Sequence, residues 1–535
     1  MRAARVLGES ATTASGPPLN SIAPYLGESR IDDLVLRWSK QAPHRAALRT
    51  VAGALDYAAL NARVDCCSRL LRELVGRDAV IAVSAALDLT YPVAFFAASR
   101  SGNTSALVSP LLHENGLAHV LALCQARFAV LTPESYRRYL AVADRLPDLH
   151  TVALTHREPG TTALAGVPTL GELMNGVSRQ ADAPERDEPG AATACLQFTN
   201  GTTGPPKAAR LSHRNLLVNA AQTAASHNLT ERAVMLNYLP TFHLMHLTAA
   251  AAAGATLVLC TEQDAPDAVH AADACRATHL YSLPVRLARL AADPRLPSLK
   301  ARALQVIYCG GSALPLSAAS ALRAQFGVPV AQGYGLAEAS PLVTCDSPGT
   351  VTVGSSGPPV AGTEVRIVDP DTRAVLPRGT PGEIELRGPQ LMLGYLDRDR
   401  DLDIGPGGWF STGDIGRLNR DGRLFVVDRL KDVFKCDNWL VSPTEIEREL
   451  REHPGVVDCA VVDRPHRYSG AVAYGFVVRA NPGVIAEDLQ RHIAYKLPYY
   501  ERLSGVEFVD AIPRTGNGRK IARAELRQRA RSESV

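Results

Sequence analysis

The sequence predicts an α/β protein of two or more domains, and three features support this prediction. At 535 residues the chain is too long for a single hydrophobic core. Apolar strands alternate with amphipathic helices over most of its length, which is typical of βαβ units around largely parallel sheets. The segment 429–535 has its own mixture of helices and strands, which indicates a separate α+β domain.

The alternation is clearest in the N-terminal third of the chain. A first segment, 1–25, is rich in Ala, Ser, Thr and Gly and predicts a flexible tail. Beyond it, the apolar pattern predicts strands at 79–85, 106–109 and 128–132, with helices at 89–100 and 114–125 between them.

The pattern changes between 350 and 428 to short strands separated by Gly and Pro turns, which predicts a small β subdomain. After it, Pro443–Leu450 predicts a helix with acidic residues in its first turn, followed by strands at 456–462 and 473–478. We therefore predict a large N-terminal domain, 1–428, with parallel-type sheets flanked by helices, and a small mobile C-terminal domain, 429–535.

The composition of the chain predicts which binding partners are excluded and which cellular compartment suits the protein. The net charge of +3 is spread along the chain and predicts neither nucleic-acid nor membrane binding. The longest apolar run, Leu247–Cys260, is too short to span a bilayer and predicts a buried helix, a turn at Gly254 and a strand. No apolar signal-peptide core is found near Met1. Ten scattered cysteines without disulfide or zinc spacing predict reduced thiols in a cytoplasmic protein.

A Gly/Thr-rich loop is the most informative motif. The apolar stretch Leu196–Thr199 predicts a strand that leads into a loop closed by Pro205, Pro206 and Lys207. Glycines let backbone N–H groups turn toward an anion, threonines add hydroxyl donors, and the lysine adds positive charge. Pro206 precedes Lys207 and Ala208 follows it, so this is not a Walker A loop. The pattern favours a phosphate-binding loop over a plain polar turn.

Five further segments follow the loop in a fixed order, and together they make the chain resemble the adenylate-forming superfamily of acyl-CoA synthetases, peptide-synthetase adenylation domains and luciferases. The resemblance covers roughly residues 30–530 and is closest in type to acyl- or aryl-CoA ligases. The five segments are Leu239–His243, Gly333–Glu338, Gly408–Asp414, Asp428–Asp432 and Pro513–Lys520.

The resemblance implies a reaction in two halves. A carboxylate attacks the α-phosphate of ATP, giving an acyl-adenylate and pyrophosphate, and a pantetheine thiol then displaces AMP. ATP, Mg²⁺ and CoA are the implied cofactors, with the phosphopantetheine of a carrier protein as the alternative thiol and a small carboxylic acid as the substrate. The implied ATP- and AMP-binding residues are Thr199, Asn200, Gly201, Thr202, Thr203, Gly204, Lys207, Gly311, Ser312, Gly333, Tyr334, Gly335, Asp414 and Arg429.

Several of these residue types suit their implied roles. The Tyr334 ring, flanked by glycines, could lie flat on adenine, and the Asp414 carboxylate could accept hydrogen bonds from the ribose hydroxyls. Glu338 is the implied Mg²⁺ ligand. His243 is implied to lie near the attacking carboxylate and the α-phosphate. Lys520 is implied to bridge these two reactants during adenylation.

The resemblance also implies domain motion and an acyl pocket. Lys431 falls at the hinge position about which the small domain rotates, and Lys435 falls at the thiol tunnel. The implied pocket wall is small or apolar apart from two bulky residues on one helix, which favours a medium-sized or aromatic acid. Its residues are Met245, His246, Ala249, Gly310, Pro341 and Leu342, with Gly311 beside them.

The chain departs from the family pattern at a few positions. Ala337 stands where a threonine hydroxyl usually touches the α-phosphate, so one hydrogen bond is expected to be lost. Asn200 replaces a usual serine, and Asn438 replaces a glycine. Arg519 is an extra residue before Lys520 and is a rival for its role.

Three other functions remain open from the sequence. A free-standing enzyme that loads a carrier protein would use the same residues for adenylation. An α-amino-acid adenylation domain is disfavoured, because no Asp near His243 could pair a substrate ammonium group. A degenerate binding protein is disfavoured because the charged residues Lys207, Glu338, Asp414, Arg429 and Lys520 are all present.

Overall fold

A computed structural model describes the chain over residues 12–26, 29–50, 53–158, 164, 166–177, 192–199, 206–241, 243–398, 403–437, 439–515 and 520–532. The described chain divides into two compact units. The larger unit consists of Ser15–Glu364 and Arg387–Phe410, and the smaller one holds the described residues up to Ala14, Val365–Leu386 and those from Ser411 onward. The predicted boundary at 428 concerns which residues move together, and it stays a prediction.

The structure confirms the predicted alternation of strands and helices. After β1 (Thr13–Ser15), the elements of the first half are α1 (Asp33–Gln41), β2 (Ala46–Thr50), β3 (Gly53–Asp56), α2 (Tyr57–Val75), β4 (Val80–Ser84), α3 (Thr90–Arg100), β5 (Thr104–Val108), α4 (Glu114–Leu123), β6 (Phe128–Leu131), α5 (Pro133–Leu140), β7 (Thr151–Leu154), α6 (Leu170–Asn175), β8 (Thr193–Phe198), β9 (Ala208–Ser212) and α7 (His213–Ser226).

The larger unit continues with the elements that carry most of the candidate site. These are β10 (Val234–Tyr238), α8 (Leu244–Ala253), β11 (Thr256–Leu259), α9 (Ala265–Ala274), β12 (His279–Ser282), α10 (Pro284–Ala291), β13 (Val306–Gly310), α11 (Leu316–Phe326), β14 (Val330–Gly335) and β15 (Leu342–Cys345).

Two largely parallel sheets organise the larger unit. One has six strands in the order β7-β6-β4-β5-β8-β9, and the other has eight in the order β15-β14-β13-β12-β10-β11-β2-β3. Strands β10, β12, β13 and β14 pair in parallel, whereas β9 and β15 are antiparallel to their neighbours. Since parallel strands end at one edge of a sheet, this topology gathers the residues after β12, β13 and β14 on that edge.

Helix α8 and strand β11 confirm the interpretation of the apolar run at 247–260. Half of the residues of this helix are alanine and all but Met245 are buried, and the chain turns at Gly254, whose φ is +67°. A Cβ atom there would lie 2.4 Å from the Trp38 ring, so only glycine fits this turn. Among the described residues no helix is both long enough and apolar enough to cross a membrane.

The smaller unit contains the predicted short strands and the α+β region. Its elements are β16 (Glu364–Val368), β17 (Gly382–Arg387), β18 (Phe410–Leu418), β19 (Leu424–Arg429), β20 (Phe434–Cys436), β21 (Trp439–Val441), α12 (Pro443–Arg451), β22 (Val456–His466), β23 (Gly470–Arg479), α13 (Ala486–Lys496), β24 (Leu503–Phe508), β25 (Arg514–Thr515), β26 (Lys520–Ile521) and α14 (Arg523–Ser532). One sheet has the order β1-β16-β17-β18-β19, and a second is built on β21-β20-β23-β22 with β24 beside β23.

Helices pack against the C-terminal sheet through apolar residues. Ile446 and Leu450 of α12 and Leu489 and Ile493 of α13 share one core cluster, while Leu526 of α14 belongs to another. Strands β22 and β23 extend several residues beyond the predicted limits, because their hairpin continues into polar sequence. All ten cysteines are free thiols, as predicted.

Candidate active site

The two ends of the predicted phosphate loop are bonded to each other. The Thr199 N–H donates to the Lys207 carbonyl at 2.8 Å, and the Lys207 N–H donates to Thr199 Oγ1 at 3.3 Å. His119 of α4 steadies the returning strand, since its Nε2 lies 2.9 Å from the Pro206 carbonyl. Asn200, Gly201, Thr202, Thr203 and Gly204 lie outside the described residues. These two bonds between Thr199 and Lys207 hold together the end of β8 and the start of β9.

Lys207 and Glu338, both predicted for Mg·ATP, contact the same aromatic residue. The Lys207 ammonium lies 4.8 Å from the centroid of the Tyr395 ring. The Tyr395 hydroxyl donates to Glu338 Oε1 at 2.6 Å. Burial, followed by the Glu338 charge, raises the pKa of this phenol well above its usual value, so it remains a donor. Two predicted site residues far apart in sequence are therefore brought together.

The predicted adenine-binding segment lies at the shared edge of the eight-stranded sheet. Gly333, Tyr334 and Gly335 end β14, and Gly310 pairs with Gly333 on the neighbouring strand. A Cβ atom on Gly335 would lie 2.3 Å from the Pro341 carbonyl, so the glycine permits a close backbone approach. Tyr334 is half-buried between these glycines.

Gly311 and Ser312 follow β13 directly at the same edge. Gly311 adopts a φ of +85°, which favours glycine, and Ser312 is exposed. The structure therefore places this pair beside the Gly333–Gly335 segment, as the predicted nucleotide site requires.

Asp414 and Arg429 form a pair in the smaller unit. They face each other across β18 and β19, and Arg429 Nε lies 2.8 Å from Asp414 Oδ1. Asp414 is buried, whereas about half of the Arg429 side chain is exposed. The pair therefore presents a fixed carboxylate with an adjacent cation, which suits a hydroxyl-rich ligand such as ribose.

His243 directly precedes α8 and has one ring nitrogen without a protein hydrogen bond. Among the described residues, none forms a hydrogen bond with its buried Nδ1, and burial lowers the pKa of the imidazole to about 4. The ring of His246 lies 5.1 Å away, centroid to centroid, and burial lowers its pKa well below the usual value. Both rings are therefore neutral at physiological pH, and His243 keeps one ring nitrogen available for a ligand.

A stack of aromatic rings continues from His246 across the sheet. The His246 ring lies 4.2 Å from that of Tyr281, which lies 5.5 Å from that of Tyr308. His227, at the end of α7, stacks on Tyr308 at 3.9 Å and places Nδ1 3.0 Å from the Tyr281 hydroxyl. These four side chains are named here the ring stack (His246, Tyr281, Tyr308 and His227), and the His246 ring is the member that contacts His243.

The other predicted pocket residues lie on elements next to the ring stack. Met245 and Ala249 belong to α8, and Gly310 ends β13 two residues after Tyr308. Pro341 and Leu342 begin β15, where the Leu342 N–H donates to Asn219 Oδ1 of α7 at 3.1 Å. Together these residues occupy the layer between α7, α8 and the shared strand edge.

The predicted hinge and tunnel lysines have partners within the smaller unit. The Lys435 ammonium donates to Asp371, and this bond raises the pKa of Lys435. The Lys431 carbonyl accepts a hydrogen bond from the guanidinium of Arg527 at 3.4 Å. Asn438 and Arg519 lie outside the described residues.

The segment around Lys520 is held by its neighbours. Its backbone pairs with Thr515 across β25 and β26. Arg523, three residues later, donates to Glu447 at 2.6 Å from an almost buried position. This ion pair anchors the chain just beyond Lys520 to α12.

Sequence reasoning missed Tyr395, Tyr281, Tyr308 and His227. A buried tyrosine is expected to find a hydrogen-bond partner, but no local motif names a partner that is far away in the chain. The ring stack arises only when strands β12 and β13 and helices α7 and α8 come together, so single-strand patterns do not reveal it.

Among the described residues, no group of three or more His, Cys, Asp or Glu could form a closed metal site. Mg²⁺ typically uses one or two protein carboxylates and completes its shell with phosphate oxygens and waters. Glu338, half-buried with only one oxygen bonded by Tyr395, has the donor chemistry for such a site.

A closed phosphate-loop stem, an adjacent carboxylate and a glycine-flanked tyrosine at the carboxyl edge of a parallel sheet define a nucleotide-binding α/β protein. The chain belongs to the AMP-binding enzyme family: the model of that family matches residues 35–396, and the model of its C-terminal domain matches residues 445–519. Both matches agree with the adenylate-forming resemblance and with the predicted fold class.

Named relatives support this assignment. The chain is 31% identical to a 4-coumarate–CoA ligase of Oryza sativa over 459 residues, covering 82% of each chain. It is also 31% identical to a feruloyl-CoA synthase of Amycolatopsis over 508 residues, covering 92% of this chain and 98% of that protein. The crystal structure of ATP-bound MatB from Rhodopseudomonas palustris is similar at a TM-score of 0.82 and 25% identity, covering 94% of this chain and 100% of the other.

Proposed function

We propose that the protein is an AMP-forming acid–thiol ligase that activates a carboxylic acid with ATP and transfers the acyl group to CoA. The observation that carries this proposal is the meeting of Lys207 and Glu338 on Tyr395 at the stem of the phosphate loop. A cation for phosphates and a carboxylate for their Mg²⁺ ion then contact the same tyrosine.

The first half-reaction forms a bond between a substrate carboxylate oxygen and the α-phosphorus and breaks the bond to pyrophosphate. Lys207 and the loop bind the leaving phosphates, and bound Mg²⁺ neutralises part of their charge. Neutral His243 contributes a ring nitrogen near the attacking oxygen without adding charge. Lys520 neutralises the two negative reactants as they meet. Positioning and charge compensation supply the catalysis.

The second half-reaction forms a bond between the CoA sulfur and the acyl carbon and releases AMP. Asp414 and Arg429 retain the ribose of the adenylate in this proposal, since they already form a rigid pair. Rotation at Lys431 withdraws Lys520 and brings the segment of Lys435 toward the thiol. The unit that rotates is 429–535.

The substrate is a medium-sized or aromatic acid. The relatives named above act on 4-coumarate and ferulate by name, and the ring stack occupies the space where a longer chain would extend. Ala249 and Gly310, which the resemblance assigns to the pocket wall, are small, and this suits a flat substrate group. Ten free cysteines support a reducing compartment, and we place the enzyme in the cytoplasm.

The decisive experiment is ATP–pyrophosphate exchange with a panel of acids, including 4-coumarate, ferulate, benzoates and fatty acids of graded length. Exchange that depends on one acid supports the proposal, and no exchange with any acid, together with retained ATP binding, would favour a binding protein. CoA or a phosphopantetheinylated carrier protein is then added to the enzyme, ATP and the acid that supports exchange. The thioester that accumulates identifies the acceptor.

A further inference from the structure

Tyr395 belongs to a segment that joins the exit of the phosphate loop to the turn of Glu338. The Leu393 N–H donates to the Arg210 carbonyl at 2.8 Å, and the Leu396 N–H donates to the Ala208 carbonyl at 2.9 Å. On the other side, the Met392 N–H donates to the Glu338 carbonyl at 2.8 Å. The segment therefore runs beside β9 from the residue after Lys207 and is fastened to the backbone of Glu338.

Tyr395 itself is held by further contacts. Its backbone N–H donates to Asp403 Oδ2 at 3.2 Å, and the residue is only 8% exposed. Its two functional parts are used separately, because the hydroxyl bonds Glu338 and the ring face receives the Lys207 ammonium. A buried residue with little freedom thus sets the positions of two longer and more flexible side chains.

Lys207 and Glu338 carry opposite charges, and both contact Tyr395. Among the described residues, each is found in contact with Tyr395 rather than in an ion pair with the other. Tyr395 gives each a neutral partner instead: a phenol uses one carboxylate oxygen, and a ring face leaves the ammonium N–H groups free to donate. In a direct Lys207–Glu338 ion pair the two charges would neutralise each other, and neither group would be available to a nucleotide.

We propose that Tyr395 is a positioning residue that holds the Lys207 ammonium and the Glu338 carboxylate apart, so that both remain available to Mg·ATP. The Tyr395 hydroxyl fixes the position of the Glu338 carboxylate for Mg²⁺, and the Tyr395 ring fixes the position of the Lys207 ammonium for the phosphates. This inference rests on the proposed ATP-dependent function and adds a residue that acts through two others.

Two substitutions separate the two contacts. Tyr395→Phe removes the bond to Glu338 and keeps the ring beneath Lys207, whereas Tyr395→Leu removes both. Tyr238→Phe is the matched control, because Tyr238 is 4% exposed, donates its hydroxyl to the Gln263 carbonyl at 3.2 Å and carries Arg286 over its ring at 4.3 Å. Tyr238 packs in the core cluster of α9, α10 and α11.

The measurement is calorimetric binding of ATP with excess Mg²⁺, of ATP with a chelator, and of AMP. For Tyr395→Phe we expect binding of Mg·ATP to weaken about ten-fold, as for a hydrogen bond to a charged group, with metal-free ATP and AMP unchanged. Tyr395→Leu should weaken ATP binding with and without the metal, and Tyr238→Phe should change none of the three. In a Glu338→Gln background, Tyr395→Phe should have no further effect on the metal dependence.

Unchanged Mg·ATP binding by Tyr395→Phe would overturn the proposal. Equal weakening of metal-bound and metal-free ATP by the same variant would also overturn it, since that result indicates general disruption. If Tyr395→Leu fails to fold, Tyr395→Phe alone decides the matter. If the parent protein does not bind ATP at all, the proposed function and this inference are both rejected. If the parent binds Mg·ATP and Tyr395→Phe binds it equally well, only the inference is rejected.

Discussion

At the stem of the phosphate loop, Lys207 and Glu338 are charged side chains that share a tyrosine, whereas at the start of α8 His243 and His246 are buried as neutral rings. We call the first group the phosphate side and the second, with the ring stack, the acyl side. Highly charged phosphates require fixed counter-charges, while an uncharged acyl group requires shape and the absence of charge. One unit of the fold supplies both environments through different secondary structure elements.

The largest expected effect comes from removing charge that serves the phosphate side. Lys520→Ala should slow ATP–pyrophosphate exchange by about a thousand-fold or more, because an ammonium that contacts both reactants in the transition state is lost. Thioester formation from supplied acyl-adenylate should survive, since this lysine is withdrawn by then.

Arg519→Ala is the control for this variant and should reduce exchange only mildly. A greater loss with Arg519→Ala than with Lys520→Ala would show that the C-terminal motif had been aligned one residue out of register.

Acid should weaken the acyl side first. Burial lowers the pKa of His227 to about 3 and the pKa of His243 to about 4. In the unfolded chain these imidazoles bind protons below about pH 6.5. In the folded chain they stay neutral until a lower pH, so the unfolded state binds more protons over this range. Stability should therefore fall as the pH drops from about 6.5 towards 4, by up to about 1.4 kcal/mol per pH unit for each histidine.

The apparent melting temperature measured between pH 7.5 and 4.5 tests this expectation. His227→Gln should lower stability at pH 7.5 but show a shallower decline in acid, whereas replacing the exposed His150 with Gln should leave the decline unchanged. A parallel decline in the parent and His227→Gln would remove His227 as a source of acid sensitivity.

Opening the acyl side should change the choice of acid rather than abolish activity. His246→Ala removes a ring that lies 4.2 Å from Tyr281 and extends the space beside His243. We expect kcat/KM for an acid one or two carbons longer to rise about ten-fold relative to the parent's preferred acid. The matched control is Cys309→Ala, which should keep the parental preference. Cys309 lies on the face of β13 opposite to Tyr308, within the core cluster of α9, α10 and α11. An unaltered preference in His246→Ala would place the pocket elsewhere.

The smallest effect concerns Ala337, on the short 3₁₀ helix Ala337–Ala339 that also carries Glu338. Ala337→Thr adds a hydroxyl beside the α-phosphate and should leave adenylation unchanged or speed it by up to about 1 kcal/mol of transition-state stabilisation. The single-turnover rate of adenylate formation measures this. A clear decrease would mean that Ala337 leaves space for the substrate.

The comparison also explains what the sequence could predict. Phosphate-side residues such as Lys207 and Glu338 belong to local motifs, in which residue type and spacing carry the chemistry, and strands such as Val80–Ser84 were predictable from apolar periodicity. Tyr395 and the ring stack depend on contacts between distant elements, which no window of sequence encodes. The roles of the individual site residues remain predictions, whereas the family and the fold class are confirmed.

The ten free cysteines have a chemical consequence for an enzyme whose second substrate is a thiol. Burial raises the pKa of Cys67 and Cys195, and the pKa of Cys309 to about 12, so these sulfurs are almost never thiolates. Thiolates, not thiols, attack disulfides, and oxidised CoA therefore meets few reactive sulfurs in the folded protein. Mixed disulfides with the cofactor should therefore form slowly, and the enzyme should recover its activity when reduced CoA returns after an oxidative episode.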